Sequence, residues 1–306
     1  MKTLLVIVGP TGVGKTELSI GLAREFGSPI LNADSRQIYR EIPIGTAAPT
    51  AEEQALVKHY FVGTHSLSED YNAGQYERDA LALLDELFRT HDTVVMSGGS
   101  MMYISAVCKG LDEMPEVPAA VREKWQQAYR DNGIEWLAEQ VRQADPVYYE
   151  EVDRQNPQRL IHALEVTEAG GRPFSTFRTH GKKERPFRIV KIGLTRPREE
   201  LYERINRRVD EMIRMGLRSE AEATLPFRSN NSLQTVGYKE MFNLLDGIWT
   251  EEETIRMIKQ NSRHYAKRQL TWYRADESVR WIDLSQTSTA EAIAQVRQLT
   301  DTLNNE

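Results

Sequence analysis

Residues 4–16 read Leu4-Leu5-Val6-Ile7-Val8-Gly9-Pro10-Thr11-Gly12-Val13-Gly14-Lys15-Thr16, an apolar run followed by a glycine turn, a lysine and a threonine. The spacing satisfies G-x-x-x-x-G-K-[ST], and its flanks predict the strand before the loop and the helix after it that the motif requires. In such a loop successive backbone N–H groups converge on an anion with help from the helix N-terminus. Lys15 adds a point charge, and Thr16 offers a hydroxyl to Mg²⁺. Gly9, Pro10, Thr11, Gly12, Val13, Gly14, Lys15 and Thr16 are therefore the expected phosphate-binding set. A diphosphate or triphosphate belongs here, and the loop alone leaves open which one.

Downstream, Glu17 to Phe26 predicts a helix with Leu18, Leu22 and Phe26 on one face. A short strand over 28–33 then delivers Asp34, Ser35, Arg36 and Gln37 to its C-terminal end, where open α/β sheets bind ligands. Asp34 by itself reads first as a turn or capping residue, and its position on the phosphate-loop edge of the sheet raises the functional reading. Glu77 to Phe88 predicts a second amphipathic helix, and Thr93 to Met96 a buried strand ending in Ser97-Gly98-Gly99-Ser100. Parallel strands joined by helices align their C-terminal ends, which brings Ser100 to the edge that carries the phosphate loop.

From Leu111 to Arg185 the pattern turns helical, anchored by Trp125, Tyr129, Trp136, Leu137 and Val141 and punctuated by prolines. Within it, Gln158, Arg159 and His162 occupy faces other than the apolar one. His162 has no cysteine or second histidine at metal-ligand spacing, so a structural or RNA-facing role is expected over zinc. The run Arg178, Lys182, Lys183, Arg185, Arg188 and Lys191 reads as a solvated face as readily as a functional one. Strand character returns at Phe187 to Leu194. The expected architecture is α/β, a P-loop NTPase-like parallel sheet flanked by helices, formed by 1–110 and 186–306, with an all-helical subdomain inserted at 111–185.

Arg198 to Met215 predicts an amphipathic helix that offers Arg207 or Arg208 as a second cation for a polyphosphate. Between Arg256 and Arg274 there are six cations and no acid, with 256, 259, 263 and 267 along one helical face. His264, Tyr265, Trp272 and Tyr273 are interleaved. A basic face followed by aromatics suits a phosphate backbone and an unstacked base.

Composition narrows the alternatives. With 306 residues, 40% apolar and 27% charged, the chain is ordinary globular material with room for more than one domain. No apolar run approaches the roughly 20 residues of a membrane helix. The N-terminal run enters the glycine loop directly, unlike a cleavable signal. A single cysteine, Cys108, excludes an internal disulfide and a cysteine zinc site and points to the cytoplasm. The formal charge of −6 weighs against nucleic-acid binding unless cations cluster locally, as they do in the second half.

The segments GPTGVGKT at 9–16, DSRQIYREIPIGTAAPT at 34–50, GGSMMY at 98–103, NPQRLIHALEV at 156–166, TVGYKEM at 235–241 and KRQLTWYR at 267–274 share a likeness. Through them the chain resembles the bacterial tRNA dimethylallyltransferases nearly end to end. The resemblance implies dimethylallyl diphosphate as co-substrate in the phosphate loop, in place of a nucleoside triphosphate, and Mg²⁺ at Thr16. The acceptor would be N6 of adenosine 37 in tRNAs reading codons that start with U. Asp34 would take the N6 proton, while Lys15, Thr16, Ser100 and Arg208 would stabilise the departing diphosphate. Matching tRNA-contact positions are Asp34, Ser35, Arg36, Gln37, Ser100, Arg122, Gln158, Arg159, His162, Gln234, Thr235, Val236, Gly237, Tyr238, Lys239, Lys267, Arg268, Gln269, Thr271, Trp272 and Arg274. The expected partner is the tRNA anticodon stem-loop, with the enzyme a monomer and no membrane involved.

Three positions depart from the family pattern. Ser100 stands for the more usual Thr, His162 for an Arg, and Lys239 for an Arg, which loses a bidentate fork. The alternatives sharing the loop are an isopentenyltransferase acting on free adenine nucleotides, a small-molecule kinase, and an NTP-dependent RNA-binding switch.

Overall fold

A computed structural model describes residues 1–179, 181 and 183–305; Lys182 of the basic run lies outside the described residues. The chain divides into two compact units, Met1–Cys108 with Glu184–Glu306, and Lys109–Lys183. The larger unit begins with β1 (Thr3–Val8), α1 (Lys15–Glu25), β2 (Ile30–Asn32), α2 (Pro43–Thr46), α3 (Ala51–Leu56), β3 (His59–Tyr60), α4 (Ala73–Leu87), β4 (Thr93–Ser97) and α5 (Met101–Lys109). The smaller unit contains α6 (Ala119–Ala144), α7 (Pro146–Glu151) and α8 (Pro157–Gly170). The larger unit resumes with β5 (Arg188–Thr195), α9 (Arg198–Met215), α10 (Leu217–Ala223), α11 (Tyr238–Leu245), α12 (Glu251–Arg274), β6 (Val279–Asp283) and α13 (Thr289–Asn305).

The six strands among the described residues are parallel, in the order β3-β2-β4-β1-β5-β6. Alternate residues of β1 serve two cores. Leu5 and Ile7 pack with Leu18 and Leu22 of α1 and Val296 of α13, while Leu4, Val6 and Val8 pack with Tyr76, Leu84 and Val107 of α4 and α5. Burial on both faces is why β1 reads as an unbroken apolar run. Each fully buried Leu or Ile contributes roughly 1.5–3 kcal/mol. The register sets Ile7 opposite Ser97 and Val8 opposite Gly193, so the turns after β1, β4 and β5 emerge along one edge. A third cluster, including Ile38, Ile42, Val209, Leu217 and Tyr238, joins the chain after Asp34 to α9–α12.

The sequence places the start of α4 four residues late. Asn72 Oδ1 accepts the Gly74 and Gln75 N–H groups and Gln75 Oε1 accepts the Asn72 N–H, so a reciprocal cap starts the helix ahead of the apolar positions that mark it in the sequence. The periodicity reading did not find β6 or α13, though β6 completes the sheet beside β5.

Four cations of the basic run at 178–191 are engaged within the chain. Arg185 is buried against Glu77 at 2.7 Å and also donates to the carbonyls of Ala106 and Val107. Lys191 reaches Asp276 at 2.7 Å, Arg178 reaches Glu151 at 2.6 Å, and Arg188 donates to the Leu303 carbonyl. Counting charges along a sequence cannot see such internal pairing.

The smaller unit has its own core of Leu137, Val141, Leu160, Leu164, Phe174 and Phe177. Its α6 is kinked at Gly133. No helix among the described residues is long and apolar enough to cross a membrane.

Candidate active site

Gly14, at φ 116°, caps α1 in a left-handed conformation that an L side chain avoids, and this turns the 9–16 loop into the helix N-terminus. Lys15 Nζ donates to the Gly9 and Pro10 carbonyls, each at 2.9 Å. Two arginines fasten the outer side of the loop. Arg204 Nε donates to Gly12 O at 2.8 Å, and Arg196 Nε donates to Val13 O at 2.9 Å. Sequence reasoning passed over both. Position alone marks Arg196, which directly follows a parallel strand at its ligand-binding end.

Arg208 Nη1 donates to the Thr11 hydroxyl at 3.1 Å, whereas Arg207 is exposed. That selects Arg208 as the loop's second cation, a choice the helix pattern left open. Burial and then the charge of Arg208 lower Lys15 to about 7, with Asp34 pulling the other way. Two crowded cations, neither in an ion pair among the described residues, form a site complementary to phosphate oxygens. Thr16 is exposed in the same cavity, and the side chain of Val13 is buried in the core, so Val13 can offer a ligand only its backbone.

Asp34 follows β2, whose position is fixed from behind by Tyr76, which donates its hydroxyl proton to Asn32 O at 3.0 Å and stacks on Tyr103. Asp34 Oδ1 accepts the N–H groups of Arg36 (2.9 Å) and Gln37 (3.3 Å). Oδ2 accepts no hydrogen bond among the described residues. The capping reading and the functional reading thus fall on different oxygens of one carboxylate. Gly98 allows the neighbouring turn to approach, since a Cβ there would lie 2.2 Å from the Ala33 carbonyl. Ser100 comes out differently from expectation. Its Oγ accepts the Tyr103 N–H at 3.3 Å, capping α5, and Ser100 does not line the cavity.

One cavity of about 1090 Å³ is lined by Thr11, Gly12, Gly14, Lys15, Thr16, Asp34, Ser35, Arg36, Gln37, Arg208 and, from far along the chain, Gln234, Thr235, Val236, Gly237, Lys239, Arg268 and Gln269. Tyr265 also lines it, donating to Gly99 O at 3.2 Å; burial, then Asp34, raises its hydroxyl well above the usual tyrosine range. Gln37 turns its amide to the Thr46 and Ala47 carbonyls.

Two expected RNA contacts have their side chains consumed internally. Tyr238 is fully buried, its hydroxyl on Glu220, whose carboxylate also accepts the Ile44 and Gly45 N–H groups at 2.8 Å. Gln269 is likewise fully buried. Lys267, Thr271, Trp272 and Arg274 are exposed. The basic face of α12 is thinner than the sequence suggests, because Arg256 pairs with Glu253, Lys259 with Asp210, and Arg263 bonds Asn206.

In the smaller unit Arg122, Gln158, Arg159 and His162 are exposed. Contact of the His162 ring with Phe174 partly buries it, and burial and then the Arg122 charge hold its pKa below the usual histidine range. A neutral imidazole there hydrogen-bonds without adding charge.

Residues 37–276 match the family described as IPP transferase. The chain belongs to the IPP transferase family. The tRNA dimethylallyltransferase 2 of Parabacteroides distasonis is 53% identical over 287 residues, 94% of this chain and 96% of its own length. The tRNA dimethylallyltransferase 1 of Bacteroides thetaiotaomicron is 52% identical over 300 residues, 98% of this chain and 97% of its own. The crystal structure of the full-length tRNA isopentenylpyrophosphate transferase from Bacillus halodurans aligns with a TM-score of 0.73 at 34% identity, covering 99% of this chain and 96% of that one. A eukaryotic dimethylallyltransferase acting on tRNA aligns with a TM-score of 0.83 at 24% identity, covering 100% of this chain and 80% of that one, a likeness of fold. The parallel P-loop-like sheet with flanking helices is thus the architecture of IPP transferases.

Proposed function

We propose that the protein transfers the dimethylallyl group of dimethylallyl diphosphate to N6 of adenosine 37 in tRNAs reading codons that begin with U. The observation that carries this is the sharing of one cavity by an acceptor oxygen, Asp34 Oδ2, and a two-cation phosphate loop. Adenine N6 is a weak nucleophile because its lone pair is delocalised into the ring. As the N6–C1 bond forms and the C1–O bond to diphosphate breaks, the N6 proton passes to the Asp34 carboxylate. The electron pair of the broken bond leaves with diphosphate, whose growing charge Lys15 and Arg208 stabilise.

Mg²⁺ fits this site, because Thr16 presents a hydroxyl beside the loop and Mg²⁺ needs few protein ligands when phosphate oxygens supply the rest. When bound, it would be held by Thr16 and would neutralise charge on the diphosphate. The cavity, at about 1090 Å³, exceeds the roughly 300–1,000 Å³ of an ordinary small-molecule site, which leaves room for a nucleoside beside the diphosphate. An anticodon-loop adenine enters only once flipped from its stack. Arg36, Lys239, Lys267 and Arg268 would hold the phosphate backbone and Trp272 a base, with Arg122, Gln158, Arg159 and His162 of the smaller unit taking a second hold on the tRNA.

The test is incubation with unmodified tRNA containing A36-A37-A38, labelled dimethylallyl diphosphate and Mg²⁺. Label in the tRNA at A37 is expected. Label that enters AMP instead, or phosphoryl transfer from ATP, would replace this reading with the nucleotide prenyltransferase or the kinase.

A further inference from the structure

Gln269 stands between the two halves of the chemistry. Its side chain is 0% exposed. Its Nε2 donates to the Gly99 carbonyl at 2.9 Å, and its Oε1 accepts the Thr11 N–H at 2.9 Å. The partners dictate which end of the amide is which, since Thr11 N can only donate and Gly99 O can only accept. Thr11 belongs to the phosphate loop, and Gly99 lies against the base. A Cβ built on Gly99 would sit 2.7 Å from Asp34 Oδ2 and 3.2 Å from Gln269 Nε2. One turn earlier on the same helix, Tyr265 donates to the same Gly99 carbonyl at 3.2 Å.

We infer that Gln269 is a positioning residue: it fixes the spacing between the leaving-group loop and Asp34 and references both to the RNA-facing surface of α12. As a statement about catalysis this rests on the transfer reaction proposed above. No other side chain of this length and neutral charge both donates and accepts in a planar fork. Met fills the space and bonds neither partner, Glu offers Gly99 O a second acceptor, and Lys offers Thr11 N a second donor. The bond also removes the Thr11 N–H from the set of amides the loop turns toward phosphate. The preceding residue, Arg268, lines the cavity, and Trp272, one turn on, is 49% exposed, so a tRNA seated on these side chains is held by the same turns of helix that pin loop and base. A misplacement of about 1 Å in such an arrangement costs on the order of 10²-fold in rate.

The experiment compares wild type with Gln269→Met, which keeps volume and loses both bonds. Hydrogen exchange should find the wild-type Thr11 amide slow and the variant's fast. Single-turnover transfer at saturating tRNA and dimethylallyl diphosphate should fall about 10- to 100-fold, with tRNA Kd unchanged within twofold. Lys267→Ala, on the exposed face of the same helix, should instead weaken tRNA binding and leave the Thr11 amide as slow as in wild type. A fast Thr11 amide in the wild-type protein overturns the inference even if the variant does not fold. An unchanged rate in Gln269→Met overturns it too, as does a tenfold loss of tRNA affinity at unchanged rate, which would make Gln269 an RNA contact. Wild-type protein that transfers no label to tRNA would sink the transfer reading itself, so the two failures are distinguishable.

Discussion

Arg208 and Lys15 converge on one loop from distant parts of the sequence, Arg208 through the Thr11 hydroxyl at 3.1 Å and Lys15 through the Gly9 and Pro10 carbonyls at 2.9 Å. Their like charges, added to the burial of the lysine, hold Lys15 near 7. An anion placed between them favours the charged lysine and raises that value.

Diphosphate binding above pH 7 should therefore take up a proton at Lys15. Its pKa is lowered in the free protein, so the group is largely neutral at pH 8.5 and must charge when the anion arrives. Calorimetry at pH 8.5 in buffers of different ionisation enthalpy should show a proton uptake in wild type that is missing in Lys15→Met; the difference between the proteins cancels the ligand's own titration. Affinity should decline as pH rises from 7 toward 10. Equal proton counts in the two proteins would show that Lys15 is already charged before the ligand binds.

Asp34→Asn separates the two oxygens of that side chain. The amide oxygen can still accept the Arg36 and Gln37 N–H groups, so the turn survives, but no carboxylate remains to take a proton. The transfer rate should fall by roughly 10²–10⁴-fold, the usual worth of a general base, with diphosphate affinity within about twofold of wild type. A variant retaining a tenth of the rate would remove Asp34 from the base role.

Arg185→Ala tests the buried end of the basic run. It strips the guanidinium from a buried carboxylate, Glu77, and from two carbonyls at the end of α5. Breaking one side of such a pair costs about 3–5 kcal/mol. Urea unfolding should show a loss of that order, whereas a change below about 1 kcal/mol, the range of a surface pair, would mean the site admits water freely.

Local patterns carried much of this fold and failed where partners lie far apart in sequence. The phosphate loop, β1 and α1 were legible because glycine spacing, an unbroken apolar run and helical periodicity are short-range signals that one buried strand and one helix turn fully determine. Asp34 was legible only as a position at a strand end; that one oxygen is tied into a turn and the other is not depends on the backbone after β2. The roles of Gln269, Tyr238 and Arg196 were illegible. Each depends on a partner more than a hundred residues away or on an unpatterned loop: Thr11 for Gln269, Ile42 for Tyr238, Val13 for Arg196. The basic stretches misled for the same reason, since Glu77, Asp210 and Asp276 lie outside the runs they neutralise.

What remains of the α12 charge after that pairing makes a sharper forecast about RNA. Lys267 and Arg268 are exposed and make no ion pair among the described residues, whereas Arg256, Lys259 and Arg263 are engaged within the chain. Replacing Lys267 and Arg268 together by Ala should weaken tRNA binding and lower the slope of log K against log salt by about 1.5, near the 0.7 per contact of single-stranded RNA. The same double change at Arg256 and Lys259 should leave the slope within about 0.5 of wild type, because those cations already neutralise acids of this protein. If the second pair lowered the slope as much as the first, the ion pairs to Glu253 and Asp210 would have to open on the RNA, and the whole face of α12 would track the phosphate backbone.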